Sequence, residues 1–249
     1  MVKVLLNGCL GKMGQAVEAC INSRDDVLIT VGVDIAEGNR SYPIHTCFVD
    51  VEEQADVIID FSNPLVLEDM LAYATQHQTP VIICTTGLSE AQVQKVKDTA
   101  KLIPVFYSGN MSLGINVLIE LSKMAARVLS DSFDIEILEK HHNLKLDAPS
   151  GTAIMIADAI SEEKQDAQYV YDRHAYRKKR DKNEVGIHSV RGGTIVGEHE
   201  VIFAGHDEVL SIKHTAQSKG VFASGAVNAA VFIKDKPAGM YDMSDLLRE

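Results

Sequence analysis

A chain of 249 residues, 46% hydrophobic and 24% charged, has ample apolar surface for one large folded domain or two modest ones. Its net charge of −11 argues against a nucleic-acid surface, and no apolar run approaches membrane-spanning length. Cys9, Cys20, Cys47 and Cys84 form no CxxC pair, and the chain opens without a signal peptide, so buried reduced thiols in a cytoplasmic protein are expected.

Taken in order, Val2-Lys3-Val4-Leu5-Leu6-Asn7 is a short buried-strand pattern. It runs through Gly8-Cys9-Leu10-Gly11-Lys12-Met13-Gly14 into a helical stretch, 15–21. Strand, glycine-rich turn and helix is the order a dinucleotide pyrophosphate needs, because glycines admit the backbone to the phosphates and the helix start offers N–H donors. The spacing is G-x-x-G-x-x-G rather than G-x-G-x-x-G, so position, more than spacing, carries the reading. A second strand, 27–33, ends in Asp34, about twenty positions past the glycines and placed to bind adenine-ribose hydroxyls. Ile35 and Ala36 supply no cation for a 2′-phosphate, which tilts the cofactor towards NADH without excluding NADPH.

Strands at 56–61, 80–84 and 103–107 alternate with helices, one opened by Ser62-Asn63-Pro64 and one by Ser89-Glu90-Ala91. That rhythm predicts a parallel sheet with helices on both faces and ligands outside the strands' carboxyl ends. Thr85, Thr86 and the loop Ser108-Gly109-Asn110-Met111 fall on the same rim as Gly8 and Asp34.

The pattern changes after a helix at 113–129. A strand over 133–140 leads into Glu139-Lys140-His141-His142-Asn143-Leu144-Lys145-Leu146-Asp147-Ala148-Pro149, and Ser150-Gly151-Thr152 opens a further helix. A polar stretch, 161–183, contains the one basic cluster, Arg173 with Arg177-Lys178-Lys179-Arg180, and reads as a solvated loop. Three strands follow, 186–191, 194–203 and 208–214, with turns at Gly192-Gly193 and Gly205–Glu208. The small-residue helix 220–233 packs back on the first domain. The expected architecture is α/β: an N-terminal Rossmann-type parallel sheet in a dinucleotide-binding domain, 1–111 plus 219–249, and an α+β domain, 112–218, with an open mixed or antiparallel sheet.

A nicotinamide domain followed by a substrate domain implies hydride transfer, which needs proton donors and a means of balancing the added charge. His141, His142 and Lys145 have those groups and precede a helix N-terminus able to seat an anion. Adjacent histidines on a strand point to opposite faces, so their roles should differ. Asp147 reads equally well as a turn residue. His174, His188, His199, His206 and His214 are scattered and supply no metal-ligand spacing; those of the later strands read as structural, with His199 or His214 able to face the open sheet.

The run Glu139-x-His141-His142-x-x-Lys145-x-Asp147-Ala148-Pro149-Ser150-Gly151-Thr152-Ala153 resembles the signature of the 4-hydroxy-tetrahydrodipicolinate reductase (dihydrodipicolinate reductase) family. The resemblance extends to Gly8-x-x-Gly11-x-Met13-Gly14, Asp60-Phe61-Ser62, Thr85-Thr86-Gly87, Asn110-Met111-Ser112-x-Gly114-x-Asn116, Arg191-Gly192-Gly193 and Gly197-x-His199. It implies NAD(P)H-dependent reduction giving tetrahydrodipicolinate, in lysine and diaminopimelate synthesis, on a small dicarboxylate substrate. It further implies His141 as general acid/base, Lys145 as proton donor, and His142, Gly151 and Thr152 as substrate-binding. Gly8, Cys9, Leu10, Gly11, Lys12, Met13, Asp34, Cys84, Thr85, Thr86, Ser108, Gly109, Asn110 and Met111 would contact the dinucleotide. A homotetramer built through the second domain's open sheet is the implied assembly.

Two departures from the family stand out: Cys84 replaces a frequent glycine, and Ile35 replaces an arginine found in some members. NADH is therefore expected to serve at least as well as NADPH. Another nicotinamide-dependent amino-acid dehydrogenase would share the first half but not need the His-His-Lys stretch. A non-enzymatic redox-sensing protein would need a DNA-binding element or basic patch.

Overall fold

Short apolar runs become strands and amphipathic stretches become helices throughout the computed structural model, which describes residues 1–129, 132–175 and 177–248. Two units divide the chain, Met1–Ser112 with Lys219–Glu249, and Leu113–Ser218. In the first unit β1 (Val2–Asn7), α1 (Lys12–Ile21), β2 (Val27–Val33), β3 (Ile44–His45), β4 (Val57–Asp60), α2 (Leu67–His77), β5 (Val81–Ile83), α3 (Glu90–Thr99) and β6 (Pro104–Tyr107) follow in turn. Every residue of β4 and β5 is buried, as parallel strands covered on both faces require. Local chemistry sets the helix starts. Asn63 accepts the Leu65 N–H at 2.8 Å in a 3₁₀ turn before α2, and Ser89 with Gln92 forms a capping box on α3.

The second unit holds α4 (Leu113–Leu129), β7 (Asp134–His141), α5 (Gly151–Glu163), β8 (Gln168–Val170), β9 (Glu184–Arg191), β10 (Gly197–Ala204) and β11 (Val209–Ala216). The chain then returns to the first unit as α6 (Gly220–Ile233), β12 (Gly239–Tyr241) and α7 (Met243–Leu247).

The first sheet is parallel throughout, in the order β12-β6-β5-β4-β1-β2-β3. Strand order reverses between β1 and β4, so the crevice that such sheets use for ligands opens at their carboxyl ends. On one face α6 joins a core with Leu6, Val17, Ile59 and Phe106. Its small residues are a packing requirement, since a Cβ at Gly225 would stand 1.7 Å from the Met111 carbonyl oxygen.

The second sheet is mixed, in the order β11-β10-β7-β9-β8; β7 pairs parallel with β9 and antiparallel with β10. Its covered face packs on α4 and α5 through Ile135, Ile137, Val185, Ile187, Val201 and Phe203. Strict alternation of buried and half-buried residues along β10 follows from the period of two in a one-sided sheet.

Some expectations need correction. The 161–183 stretch is not simply a solvated loop: it contains β8, Arg173 pairs with Glu184, and Arg180 bonds Asp134 and Glu136 at 3.0 Å each. These cations neutralise acids on β7 and β9 that lie 11 to 46 positions away in sequence. None of the four thiols forms a disulfide, but only Cys9 is buried; Cys20 and Cys84 are half-buried and Cys47 is exposed. The short elements β3, β12 and α7 carry too few residues to show periodicity.

Candidate active site

At the carboxyl ends of β1 and β4 the glycine turn is built by close approach. Gly8 has φ of +78°, and a Cβ there would lie 2.6 Å from the Phe61 carbonyl oxygen; one at Gly14 would lie 2.3 Å from that of Gly8. Within the turn, Gly8 donates to the Val33 carbonyl at 2.8 Å and Gly11 to that of Gly8 at 3.1 Å. Gly11 caps α1 without a side chain, and the first turn has no acidic residue. The opening N–H groups of α1, beginning at Lys12 and Met13, therefore form the anion-facing part of the turn. Asp34 has an additional structural duty: it accepts the Leu10 N–H at 2.9 Å and that of Ala36 at 3.3 Å, tying the turn to the end of β2. Each carboxylate oxygen keeps a second lone pair for a hydroxyl.

Two cavities flank this turn and share Phe61 and Ser62. One of about 480 Å³ is lined by Gly8, Leu10, Gly11 and Asp34; the other, of about 390 Å³, by Met13, Cys84, Thr85, Thr86 and the 108–111 loop. Together they offer an elongated, two-part space on the rim, as a dinucleotide requires. The cradle fits such a cofactor. Two of the expected contacts line neither cavity: the Cys9 side chain is fully buried against Gly32, so only its backbone lies in the turn, and Lys12 is exposed at the start of α1. Lys219 and Phe222 line the second cavity from α6. Sequence reading had no route to these two, since tertiary packing alone brings them to the rim.

In the second unit, register assembles a polar site at one end of an apolar face. Ile135 lies between Val185 and Phe203, Ile137 between Ile187 and Val201, and Glu139 between Ser189 and His199; His141 pairs with Arg191. The first two rows are core. The third buries a carboxylate completely, which is tolerable only with strong partners. Arg191 supplies them, bonding the Glu139 oxygens at 2.8 and 2.7 Å, while the Ser150 N–H donates at 3.1 Å and His141 Nδ1 lies at 2.6 Å. Arg191 also holds the Asp147 carbonyl at 2.6 Å, and Lys145 pairs with the Asp147 carboxylate at 2.8 Å, so the loop carrying the lysine is anchored to the same cluster.

The start of α5 meets this cluster through Ser150, whose Oγ accepts the Ala153 N–H at 3.1 Å and lies 3.0 Å from His199 Nε2. Gly151 is exposed, and a Cβ there would meet open space. His142 follows the strand, and its Nδ1 is buried without a hydrogen-bond partner among the described residues. His199 and His214, expected to be able to face the open side of the sheet, do not. They are paired across β10 and β11 on the covered face, where the His199 ring stands edge-on to His141 at 5.2 Å.

Environment separates the charges. Burial opposes ionisation of Glu139, but Arg191, Ser189 and His141 outweigh it and hold the carboxyl at about 2. Burial pushes His141 below its ordinary value; Glu139 opposes this, and Lys145 and Arg191 reinforce it. His199 is driven to about 4, first by burial and then by His141. The cluster thus holds an ionised carboxylate and an ionised guanidinium around imidazoles kept from charging. Among the described residues, no group of three or more His, Cys, Asp or Glu could hold a metal ion, and no helix is long and apolar enough to cross a membrane.

His141, His142, Lys145, Gly151 and Thr152 thus belong to one unit, and the expected dinucleotide contacts to the other. Glu139, Arg191 and His199 were missing from the expected site. All three lie in motifs that carried the family resemblance, Glu139 at the head of the histidine run, Arg191 before Gly192-Gly193 and His199 after Gly197, but nothing local to them gave a role.

Comparison with known proteins gives the family. Residues 2–111 match the family model described as dihydrodipicolinate reductase, N-terminus, and residues 114–247 match that for its C-terminus. The 4-hydroxy-tetrahydrodipicolinate reductase of Caldanaerobacter subterraneus subsp. tengcongensis is 49% identical over 252 residues, covering 100% of this chain and 99% of that protein. That of Clostridium novyi is 44% identical over 250 residues, with coverage of 100% and 99%. Among solved structures, a dipicolinate-bound dihydrodipicolinate reductase from Paenisporosarcina sp. TG-14 has a TM-score of 0.80 at 22% identity, covering 97% of each chain, a likeness of fold. With both halves matched and close relatives aligned end to end, the chain belongs to the dihydrodipicolinate reductase family.

Proposed function

We infer that the protein reduces 4-hydroxy-tetrahydrodipicolinate to tetrahydrodipicolinate with a reduced nicotinamide dinucleotide, a step of lysine and diaminopimelate synthesis. The observation that carries this, within the family, is the double engagement of Glu139. One carboxylate binds both His141 and the Ser150 N–H at the start of α5, joining a proton-carrying ring to an anion seat.

When bound, the nicotinamide supplies the hydride. In this reading Gly8 to Met13 hold the pyrophosphate, Asp34 the adenine-side ribose, and Cys84 to Thr86 with Ser108 to Met111 the nicotinamide half. A substrate carboxylate sits on Gly151 and Thr152 at the positive end of α5, and the unpartnered His142 Nδ1 contacts the substrate. Loss of the ring hydroxyl as water and addition of hydride consume one proton in net. Lys145 donates it, and His141 acts as general acid/base at the ring.

NADH serves at least as well as NADPH. Among the described residues, the cavity beside Asp34 has the acids Asp34 and Asp69 in its lining and neither lysine nor arginine, while Arg40 is engaged by Glu18 at 3.1 Å. The assembly is a homotetramer through the helix-free face of the second sheet, where Val190 and Val209 are exposed, and it works in the cytoplasm. Light scattering that gave a monomer at micromolar concentration would remove the tetramer. The function itself is tested by coupling the protein to the synthase that makes its substrate and following NADH loss; no loss above the synthase alone would refute it.

A further inference from the structure

We propose that Glu139 is a positioning residue for this reduction: clamped by Arg191, its carboxylate fixes His141 as the tautomer with hydrogen on Nδ1, leaving Nε2 to exchange protons with substrate. The proposal rests on the functional reading above for the word substrate, and on geometry alone for the tautomer.

Glu139 and His141 are two apart on β7, so they share a face, and the carboxylate reaches the ring at 2.6 Å. An ionised carboxylate can only accept, so the hydrogen between them belongs to Nδ1. The carboxylate is itself immobilised. Arg191 grips both oxygens at 2.8 and 2.7 Å, and the Ser150 N–H holds one of them at 3.1 Å. Gly197 leaves room beside the other ring nitrogen, since a Cβ there would come within 3.2 Å of His141 Nε2.

The guanidinium also settles the charge. A buried carboxylate alone would hold the neighbouring ring as an imidazolium, whereas Arg191 cancels its charge and leaves orientation without permanent protonation. Among the described residues, the other charged or titratable groups on this side are Lys145 from the following loop, which disfavours a positive ring, and His199 from β10, edge-on to His141 at 5.2 Å, with its cross-strand partner His214 of β11 beyond it. A neutral imidazole with a fixed Nδ1–H is suited to take and return a proton through Nε2.

Ring-nitrogen NMR of the parent protein, with no substrate present, decides the tautomer: the expected result is hydrogen on Nδ1 of His141, and hydrogen on Nε2 overturns the proposal. Two variants test the charge argument by opposite shifts. In Glu139→Gln the uncompensated Arg191 should lower the pH at which the His141 ring titrates by about one unit, and in Arg191→Gln the uncompensated Glu139 should raise it by a similar amount. Steady-state kinetics of Glu139→Gln should show kcat reduced about a hundredfold, with NADH affinity at the parental level. A purely structural Glu139 would lower thermal stability while leaving kcat and the titration unmoved, and that pattern overturns the proposal. Should either variant fail to fold, the parent's tautomer still decides. Absence of parental turnover would refute the functional reading, a separate failure.

Discussion

At the scale of single residues, position relative to the Glu139–Arg191 pair sorts the proton-carrying groups. Lys145 lies on a loop and is held by Asp147 at 2.8 Å, so its removal should disturb little besides chemistry. Lys145→Ala is expected to keep NADH binding, measured by fluorescence titration, while lowering kcat by a factor of about 10² or more. Unchanged turnover would take Lys145 out of proton transfer. His141→Ala should lower kcat more than it raises KM, because a group acting on the proton in flight contributes mainly to the transition state. The reverse split would make His141 a binding residue. His141 and Lys145 stand out in the chain because imidazole and ammonium groups can exchange protons wherever they lie. Glu139 and Arg191 do not: an acid and a base 52 positions apart acquire meaning only when strand register pairs them.

At the scale of elements, two helices hold functional loops by contacts that single substitutions can probe. Ser150 caps α5 and also partners His199. Ser150→Ala should cost about 1 kcal/mol for the cap and ~1–3 kcal/mol for the buried imidazole left without its partner, summing to a clear drop in urea midpoint. A loss below half a kcal/mol would mean that water replaces both bonds. In the first unit, Gly225→Ala would drive a methyl into the Met111 carbonyl, only 1.7 Å away before relaxation. The helix or the 108–111 loop must move, so both thermal stability and NADH affinity are expected to fall together. Loss of stability with unaltered affinity would show that the loop is not part of the cofactor site.

At the scale of the whole molecule, pH should act on stability through the buried cluster. The His199 imidazole falls from an ordinary 6.5 to about 4 in the fold, so between those values the unfolded chain binds more protons and stability declines as pH falls. That shift amounts to roughly 3 kcal/mol. Glu139 acts in the same direction lower down: its contribution is complete above 4.5 and is lost as pH falls towards about 2. Melting temperature should therefore drop from pH 6.5 to 4, and His199→Gln should flatten that part of the curve; an unaltered slope would assign the acid sensitivity elsewhere. Comparison of catalytic efficiencies with the two cofactors belongs at this scale too, with NADPH clearly better being the adverse result. The alternation of strand and helix, the glycine turn and the His-His-Lys run were determined by the sequence itself, because periodicity, backbone freedom and side-chain chemistry are local properties. Tertiary structure alone decided that Lys219 and Phe222 line the second cavity, that Asp34, expected to bind ribose hydroxyls, braces the glycine turn, and that His199 faces the covered side of its sheet. Each of these depends on which strand lies beside which and in what register, and that is settled by the burial of the apolar rows as a whole.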